Sequence, residues 1–423
     1  MRALVVAALL LAPVLPALAS GGGCQESFHP AIGRMCARPD GLFDVLGPDG
    51  ARIGVVHGLD PVPAGAQPSL PPPAGPYMAD NVRQPSCVDM TRGVPGHVVI
   101  MAYVGQLPNA KSQIDVANSM RMLITAIDKV VDDSGLQRGD HADLRVACSQ
   151  GQIAIFQESI GAVGGGYSGM FSHVKSSLMA RGYNDPAKKY WVYYDALDPT
   201  YSAAGVGDLY YDDSPLASNL NNGNSGTPTY AVSLAYWDVR VLLHEAGHNQ
   251  GAVQASAPHH NYGGHCDDGY DIMCYTASAA GCPYSYPDPD PFDCHNDDYF
   301  DTQPAPASYL ATHWNLANPV NRYMHVGAST MDQVLCNPAG LHAAACVFYG
   351  GNPGVAAVEY RVDWGDGTIQ TTTGPAPGVP WAPKQEAATA HAYLAGGTYT
   401  VHVSARDADG GWSGGMPYTV TVV

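Results

Sequence analysis

The sequence predicts an α/β domain built on a mixed, largely parallel sheet, followed by an all-β sandwich. Three observations carry that expectation. From Cys87 to about residue 250, apolar runs of strand length alternate with stretches of helical period, the order that a layer of strands and crossing helices imposes. Beyond Val326 the helical period disappears and apolar residues recur at every second position, as in half-buried strands. The chain also holds 48 glycines and 34 prolines against 14% charged residues, a composition of turns and short strands that disfavours coiled coils and helical repeats. Its 423 residues suffice for two or three domains. A formal net charge of −18 excludes the basic footprint that nucleic-acid and anionic-membrane binders need.

Residues 1–19 read as a secretory signal peptide: Arg2, an apolar stretch over residues 3–15, then Ala17-Leu18-Ala19 where a signal peptidase cuts. Pro13 and Pro16 interrupt the stretch, which is too short to span roughly 30 Å of hydrocarbon. No later run reaches the length of a spanning helix, so an integral membrane protein is not expected. All ten cysteines follow the signal in even groups: Cys24 and Cys36; Cys87 and Cys148; Cys266, Cys274, Cys282 and Cys294; Cys336 and Cys346. This parity points to local disulfides in a secreted, extracellular protein. The pairing inside the group of four stays open.

Residues 20–85 form an N-terminal β-like segment and linker. Runs at 42–46 and 53–57 flank the turn residues Pro48-Asp49-Gly50, and residues 61–76 are too rich in Pro, Ala and Gly to bury a core. Residues 86–325 form the α/β domain. A strand is expected at 98–104, then a helix through Val116, Met120, Leu123, Ile127, Val130 and Val131, with Ser112 as N-cap and Gly135 as stop. Strands follow at 144–148 and 153–156, a helix over 171–181 ended by Gly182, and a strand at 190–194. Residues 198–230 read as loop, and the next helix begins near Trp237. Residues 326–423 form the sandwich, where Val358, Tyr360, Val362 and Trp364 alternate, as do Tyr399, Val401 and Val403, and Tyr418, Val420 and Val422.

Within that last domain, Val362-Asp363-Trp364-Gly365-Asp366-Gly367, then His391-Ala392-Tyr393 and Gly397-Thr398-Tyr399-Thr400-Val401, closely resemble the PKD family of immunoglobulin-like domains. The resemblance covers roughly residues 340–423. It implies an accessory module that contacts a surface or polymer and takes no part in catalysis.

The helix near Trp237 carries His244-Glu245-Ala246-Gly247-His248. At 3.6 residues per turn the two histidines share a face, so both imidazoles reach one Zn²⁺ while Glu245 lies beside a metal-bound water. Gly251 stands seven residues after His244, and Asp271-Ile272-Met273-Cys274-Tyr275 follows. A His-Glu-x-Gly-His-Asn-x-x-Gly helix with a downstream methionine turn resembles the metzincin clan of zinc endopeptidases, in particular its adamalysin-like and gametolysin-like branches. The resemblance implies a zincin-like fold, a supporting methionine at Met273, and a catalytic tyrosine at Tyr275 that helps hold the oxyanion. In the clan a third ligand stands three residues after the glycine. Here that position is Gln254, a poor zinc ligand. The third ligand therefore comes from elsewhere, with His259 first choice, His265 second, and His260 or Gln254 after them. Pro258 and Gly263-Gly264 let this segment fold back but not continue the helix.

The expected function is that of a secreted, monomeric zinc endopeptidase acting on proteins or peptides, with Glu245 as general base. The alternative is a secreted surface- or polymer-binding protein whose zincin-like domain has lost its metal, prompted by Gln254. Residues 287–301 hold Asp288, Asp290, Asp293, Asp297, Asp298 and Asp301, oxygen donors suited to Ca²⁺. Their spacing matches no EF-hand, and a solvated loop is expected there. Asp267, Asp268 and Asp271 are placed to bind Ca²⁺ or to cap backbone amides.

Overall fold

The computed structural model describes residues 26–29, 31–61, 84–149, 152–161, 169–195, 203–274, 282, 290–327, 331–352, 355–356, 359–373, 386–406, 412–413 and 415–423. The expected signal peptide, most of the Pro-rich linker, Tyr275 and Val358 lie outside the described residues. No helix among the described residues is long and apolar enough to cross a membrane.

The chain begins with an antiparallel sheet of four short strands, β1 (Glu26–His29), β2 (Gly33–Ala37), β3 (Phe43–Leu46) and β4 (Arg52–Val56). The hairpin expected around Asp49-Gly50 is β3–β4, and Gly50 supplies the positive φ of +81° that the turn requires. A two-residue strand, β5 (Asp60–Pro61), then leaves this sheet and joins a larger one.

The larger sheet is mixed. Its strands are β6 (Ser86–Val88), β7 (Gly96–Tyr103), β8 (Ala142–Ser149), β9 (Gln152–Ile153), β10 (Ile155–Ser159), β11 (Lys188–Asp195), β12 (Ala203–Gly207), β13 (Thr229–Leu234) and β14 (Met324–Val326). The main path runs β14-β8-β7-β11-β13-β12-β5. Its centre is parallel, as expected from the sequence, and β14, β12 and β5 are antiparallel. Helices cover both faces, so the central strands are apolar on both sides. Val99, Met101 and Tyr103 of β7 face α1 (Ala110–Gln137) and α3 (Val239–Gln250). Val98, Ile100 and Ala102 face α2 (Met170–Ala180), together with Ile32, Met35, Val45, Ile53 and Val56 of the N-terminal sheet. That sheet therefore shares a core with the α/β layer.

Three local expectations are corrected. The N-cap of α1 is Asn109, whose side chain accepts from the Ser112 N–H at 3.1 Å, so Ser112 lies in the first turn. Gly135 does not end α1, which runs on to Gln137; a Cβ there would lie 2.8 Å from the Asp140 carbonyl oxygen, so the position has no room for a side chain. The stretch 198–230 is not all loop, since β12 falls inside it.

A buried ion pair fastens the two sheets together. Lys175 Nζ lies 2.6 Å from Asp208 Oδ2, with both side chains fully buried. Asp208 also accepts the N–H groups of Val55 and Tyr230 at 3.1 and 2.7 Å. Burial pulls Lys175 below and pushes Asp208 above its ordinary pKa; the mutual attraction opposes this in both, and the Tyr230 and Val55 N–H groups oppose it in Asp208. Asp208→Ala would leave the ammonium uncompensated and is expected to cost about 3–5 kcal/mol. The check is a lower midpoint of urea unfolding at unchanged slope, and an unmoved midpoint would contradict this role.

The disulfides Cys87–Cys148, Cys266–Cys274, Cys282–Cys294 and Cys336–Cys346 settle the pairing left open by sequence. Cys36 is also disulfide-bonded; its expected partner Cys24 lies outside the described residues. A short helix, α4 (Tyr309–Thr312), precedes β14.

The C-terminal region is all-β, as expected. Its strands are β15 (Met331–Gly340), β16 (Ala343–Asn352), β17 (Val355–Ala356), β18 (Glu359–Asp363), β19 (Ile369–Thr373), β20 (Glu386–Ala392), β21 (Gly397–Arg406) and β22 (Met416–Val422). β15, β16, β17 and β20 form one sheet and β19-β18-β21-β22 the other. Val334 and Phe348 of the first pack with Tyr360, Val362, Trp364, Val401 and Val403 of the second, the interdigitation that defines a sandwich.

Candidate metal centre

Helix α3 begins at Asp238, whose carboxylate caps the Arg240 N–H at 2.7 Å. Leu242, Leu243 and Ala246 anchor the helix in the core, which turns His244, Glu245 and His248 toward β12. The strand approaches closely because it carries Gly205 and Gly207. A Cβ at Gly205 would collide with the Glu245 carboxylate, and one at Gly207 would lie 2.8 Å from the Glu245 carbonyl oxygen. Met273 lies beneath the helix, where a Cβ at Gly247 would stand 2.5 Å from its Sδ.

Gly251 ends α3 in the left-handed conformation at φ +93°. The chain then doubles back, with Val253 N–H donating to the Gly264 carbonyl at 3.2 Å and Asn261 N–H to the His265 carbonyl at 2.7 Å. Gly263 and Gly264, at φ +73° and +78°, make the turn, and Cys266–Cys274 ties it to the methionine turn. The return brings His265 to the helix. Its Nε2 is 3.2 Å from that of His248 and 3.3 Å from that of His244, and the latter two are 3.1 Å apart.

Three imidazole nitrogens thus form a nearly equilateral triangle. The Nδ1 atoms of His244, His248 and His265 meet the carbonyls of Ile272, Ala252 and Tyr262 at 2.6, 3.3 and 3.0 Å. A carbonyl only accepts, so with its proton on Nδ1 each ring would turn an Nε2 lone pair inward. Lone pairs at such separations repel unless a cation sits among them. Zinc–nitrogen bonds of about 2.0–2.1 Å in a tetrahedron place neighbouring nitrogens roughly 3.3 Å apart, so the donor set fits Zn²⁺. Burial lowers the His265 pKa to about 4 and drives that of His248 well below normal, with help from His57. A neutral imidazole is the form that can bind a metal ion.

Two residues that the sequence did not single out complete the site. Asp60 Oδ1 lies 2.9 Å from His265 Nε2, 3.3 Å from His244 Nε2 and 3.8 Å from His248 Nε2. Burial alone would raise the Asp60 pKa; the surrounding His57 and His244 outweigh it and hold the carboxylate well below its usual range. His57 Nε2 is 3.3 Å from Asp60 Oδ2, and its ring stacks obliquely on His248 at 4.3 Å. Burial, then the Asp60 charge, raises the Glu245 pKa well above normal. A cleft of about 50 Å³ opens beside the site, lined by Asp60, Pro61, Ala204, Arg240, His244, Glu245 and Ile272 among others.

The first-choice third ligand, His259, is not in the triangle. It precedes the reverse turn, and its Nδ1 faces Asp298, Asp297 and Asp268 at 3.3, 3.6 and 3.7 Å. His260 meets the Tyr211 hydroxyl at 3.4 Å. Gln254 is buried and donates to the Tyr210 and Gly251 carbonyls at 3.1 and 2.7 Å, holding the turn after α3.

The acidic segment is not the expected solvated loop. Asp271 accepts the Met273 and Cys294 N–H groups and the Tyr299 hydroxyl at 2.6, 2.7 and 2.7 Å, and Asp293 accepts from Tyr299 and Phe300. An irregular buried loop has N–H groups without ladder partners, and carboxylates satisfy them. Burial lifts Asp271 to about 7 and Asp298 to about 6. His259, Asp268, Asp297 and Asp298 do gather within reach of one cation.

No protein-family model and no curated protein matches the chain. Among solved structures it is similar to the PKD1 domain of Vibrio anguillarum Epp, at 18% identity and TM-score 0.18 over 22% of this chain and 93% of that one. It is also similar to a PKD domain of an M14-like peptidase from a Thermoplasmatales archaeon, at 24% identity and TM-score 0.17 over 21% and 90%. A third likeness is to the PKD1 domain of the Vibrio cholerae metalloprotease PrtV, at 18% identity and TM-score 0.17 over 21% and 91%.

Proposed function

We propose that the chain is a secreted, disulfide-stabilised zinc endopeptidase of metzincin type, with a zincin-like catalytic domain and a PKD-like sandwich as accessory module. The carrying observation is the triangle of three inward-facing Nε2 atoms beside a buried glutamate. A structural zinc site needs no general base next to its ligands.

His244, His248 and His265 would hold a Zn²⁺ ion, which when bound would supply Lewis acidity toward a peptide carbonyl and lower the pKa of the attacking water. Glu245 takes that water's proton and returns it to the departing amine. The tight backbone of β12 against α3 fixes the carboxylate for this transfer. Gly205→Ala is expected to push Glu245 aside and lower kcat by about 100-fold while zinc content stays unchanged; equal kcat would show that the glycine is not needed for positioning.

The reading is tested on an unfolded protein substrate. Cleavage by the purified chain should stop after a zinc chelator and return with added Zn²⁺, and cleavage indifferent to chelator would refute it.

A further inference from the structure

We infer that Asp290 is a specificity residue: its carboxylate, in the cleft beside the metal site, selects substrates with a lysine or arginine side chain flanking the scissile bond. The inference rests on the metallopeptidase reading and names a substrate class for it. Arg240 precedes His244 by about one helical turn, so it shares the face of α3 that carries the candidate ligands. The cleft lined by His244 and Glu245 therefore extends along α3 to Arg240, and Asp290 lines it too. A substrate side chain next to the bond under attack at Glu245 enters this cleft.

Asp290 is short of one partner. The residue is 7% exposed, and Arg240 Nε stands 3.3 Å from its Oδ2. Its Oδ1 is buried and has no hydrogen-bond partner among the described residues. A buried carboxylate oxygen without a donor is costly, and the ammonium or guanidinium of a substrate supplies a charged donor at the end of a long stem. Burial raises the Asp290 pKa, and Asp238 adds to this against the pull of Arg240, so a further cation beside Asp290 is favoured. Asp271 lines the same cleft but already accepts the Met273 and Cys294 N–H groups and the Tyr299 hydroxyl. An acidic substrate side chain would compete with Asp290 for Arg240 and stand next to Asp290 itself, a like-charge contact that rejects it.

The rest of the cleft suits the stem of such a side chain. Val241 and Ile272 line it, and the methylene chains of lysine and arginine lie along apolar surface of this kind while the charged tip reaches a polar partner. The chain's formal net charge of −18 acts in the same direction at longer range, drawing basic segments toward the protein.

The test digests an unfolded protein of mixed composition with the purified wild-type chain and zinc, and maps the cut bonds by mass spectrometry. The same substrate with acetylated lysines is digested in parallel, which removes the lysine charge and leaves the enzyme untouched. Bonds flanked by lysine or arginine, always on the same side, should dominate. Acetylation should slow the cuts at lysine by about 10- to 100-fold, the range set by leaving a buried charged group without its partner, while cuts at arginine continue. In Asp290→Asn the ratio of kcat/KM for a lysine peptide to that for its leucine counterpart should fall by a similar factor. Cleavage that ignores basic residues or prefers acidic ones, or a wild-type ratio kept by Asp290→Asn, overturns the role of Asp290 alone. Failure of the wild-type chain to cut any substrate overturns the metallopeptidase reading and this inference with it.

Discussion

Glu245→Gln should lower kcat for peptide cleavage by about 10²–10⁴-fold, the range that a positioned general base contributes. KM and zinc content should be unchanged, because the side chain keeps its shape and is not one of the three nitrogen donors. The environment makes the effect specific. Glu245 is buried between β12 and α3, and no other carboxylate of the described residues except Asp60 gathers with His244 and Glu245. A modest loss, within a factor of about two, would mean that proton transfer is carried elsewhere, since each tenfold in rate corresponds to only about 1.4 kcal/mol.

His265→Ala is the second large effect, and its control is His259→Ala. Loss of His265 leaves two nitrogen donors, and zinc affinity should fall by more than the 10- to 100-fold typical of losing an outer-shell partner. His259→Ala should leave affinity unchanged, because its imidazole faces Asp298, Asp297 and Asp268. Zinc titration against a competing chelator reads both. The opposite ranking would restore the ligand order expected from sequence and remove the triangle from the argument.

What was legible in the sequence was local. The strand runs of β7 and β11, the apolar stripe of α1, and His244, Glu245 and His248 on one helix face follow from periods of two and 3.6 residues. Met273 was legible because its turn stands close by in sequence. The rest depends on where the chain returns. The doubled glycines signalled a turn after α3, but its depth is set by hydrogen bonds such as Val253 to Gly264, so spacing could not choose between His259 and His265. Asp60 reaches His265 across 205 residues, beyond any periodic signal. β12, with the sequence AAGVG, read as loop because it lacks large β-branched residues. The usable signal was there in another form, as glycines inside a short apolar run mark close approach of another element. The acidic segment misled by composition, since its buried carboxylates serve backbone amides.

The most direct test of the account is the zinc X-ray absorption spectrum of the wild-type chain. The account predicts three imidazole nitrogens and one carboxylate oxygen at about 2.0–2.2 Å, with the oxygen contribution altered in Asp60→Ala. Sulfur scattering at about 2.3 Å, only two imidazoles, or an oxygen-only shell would contradict it.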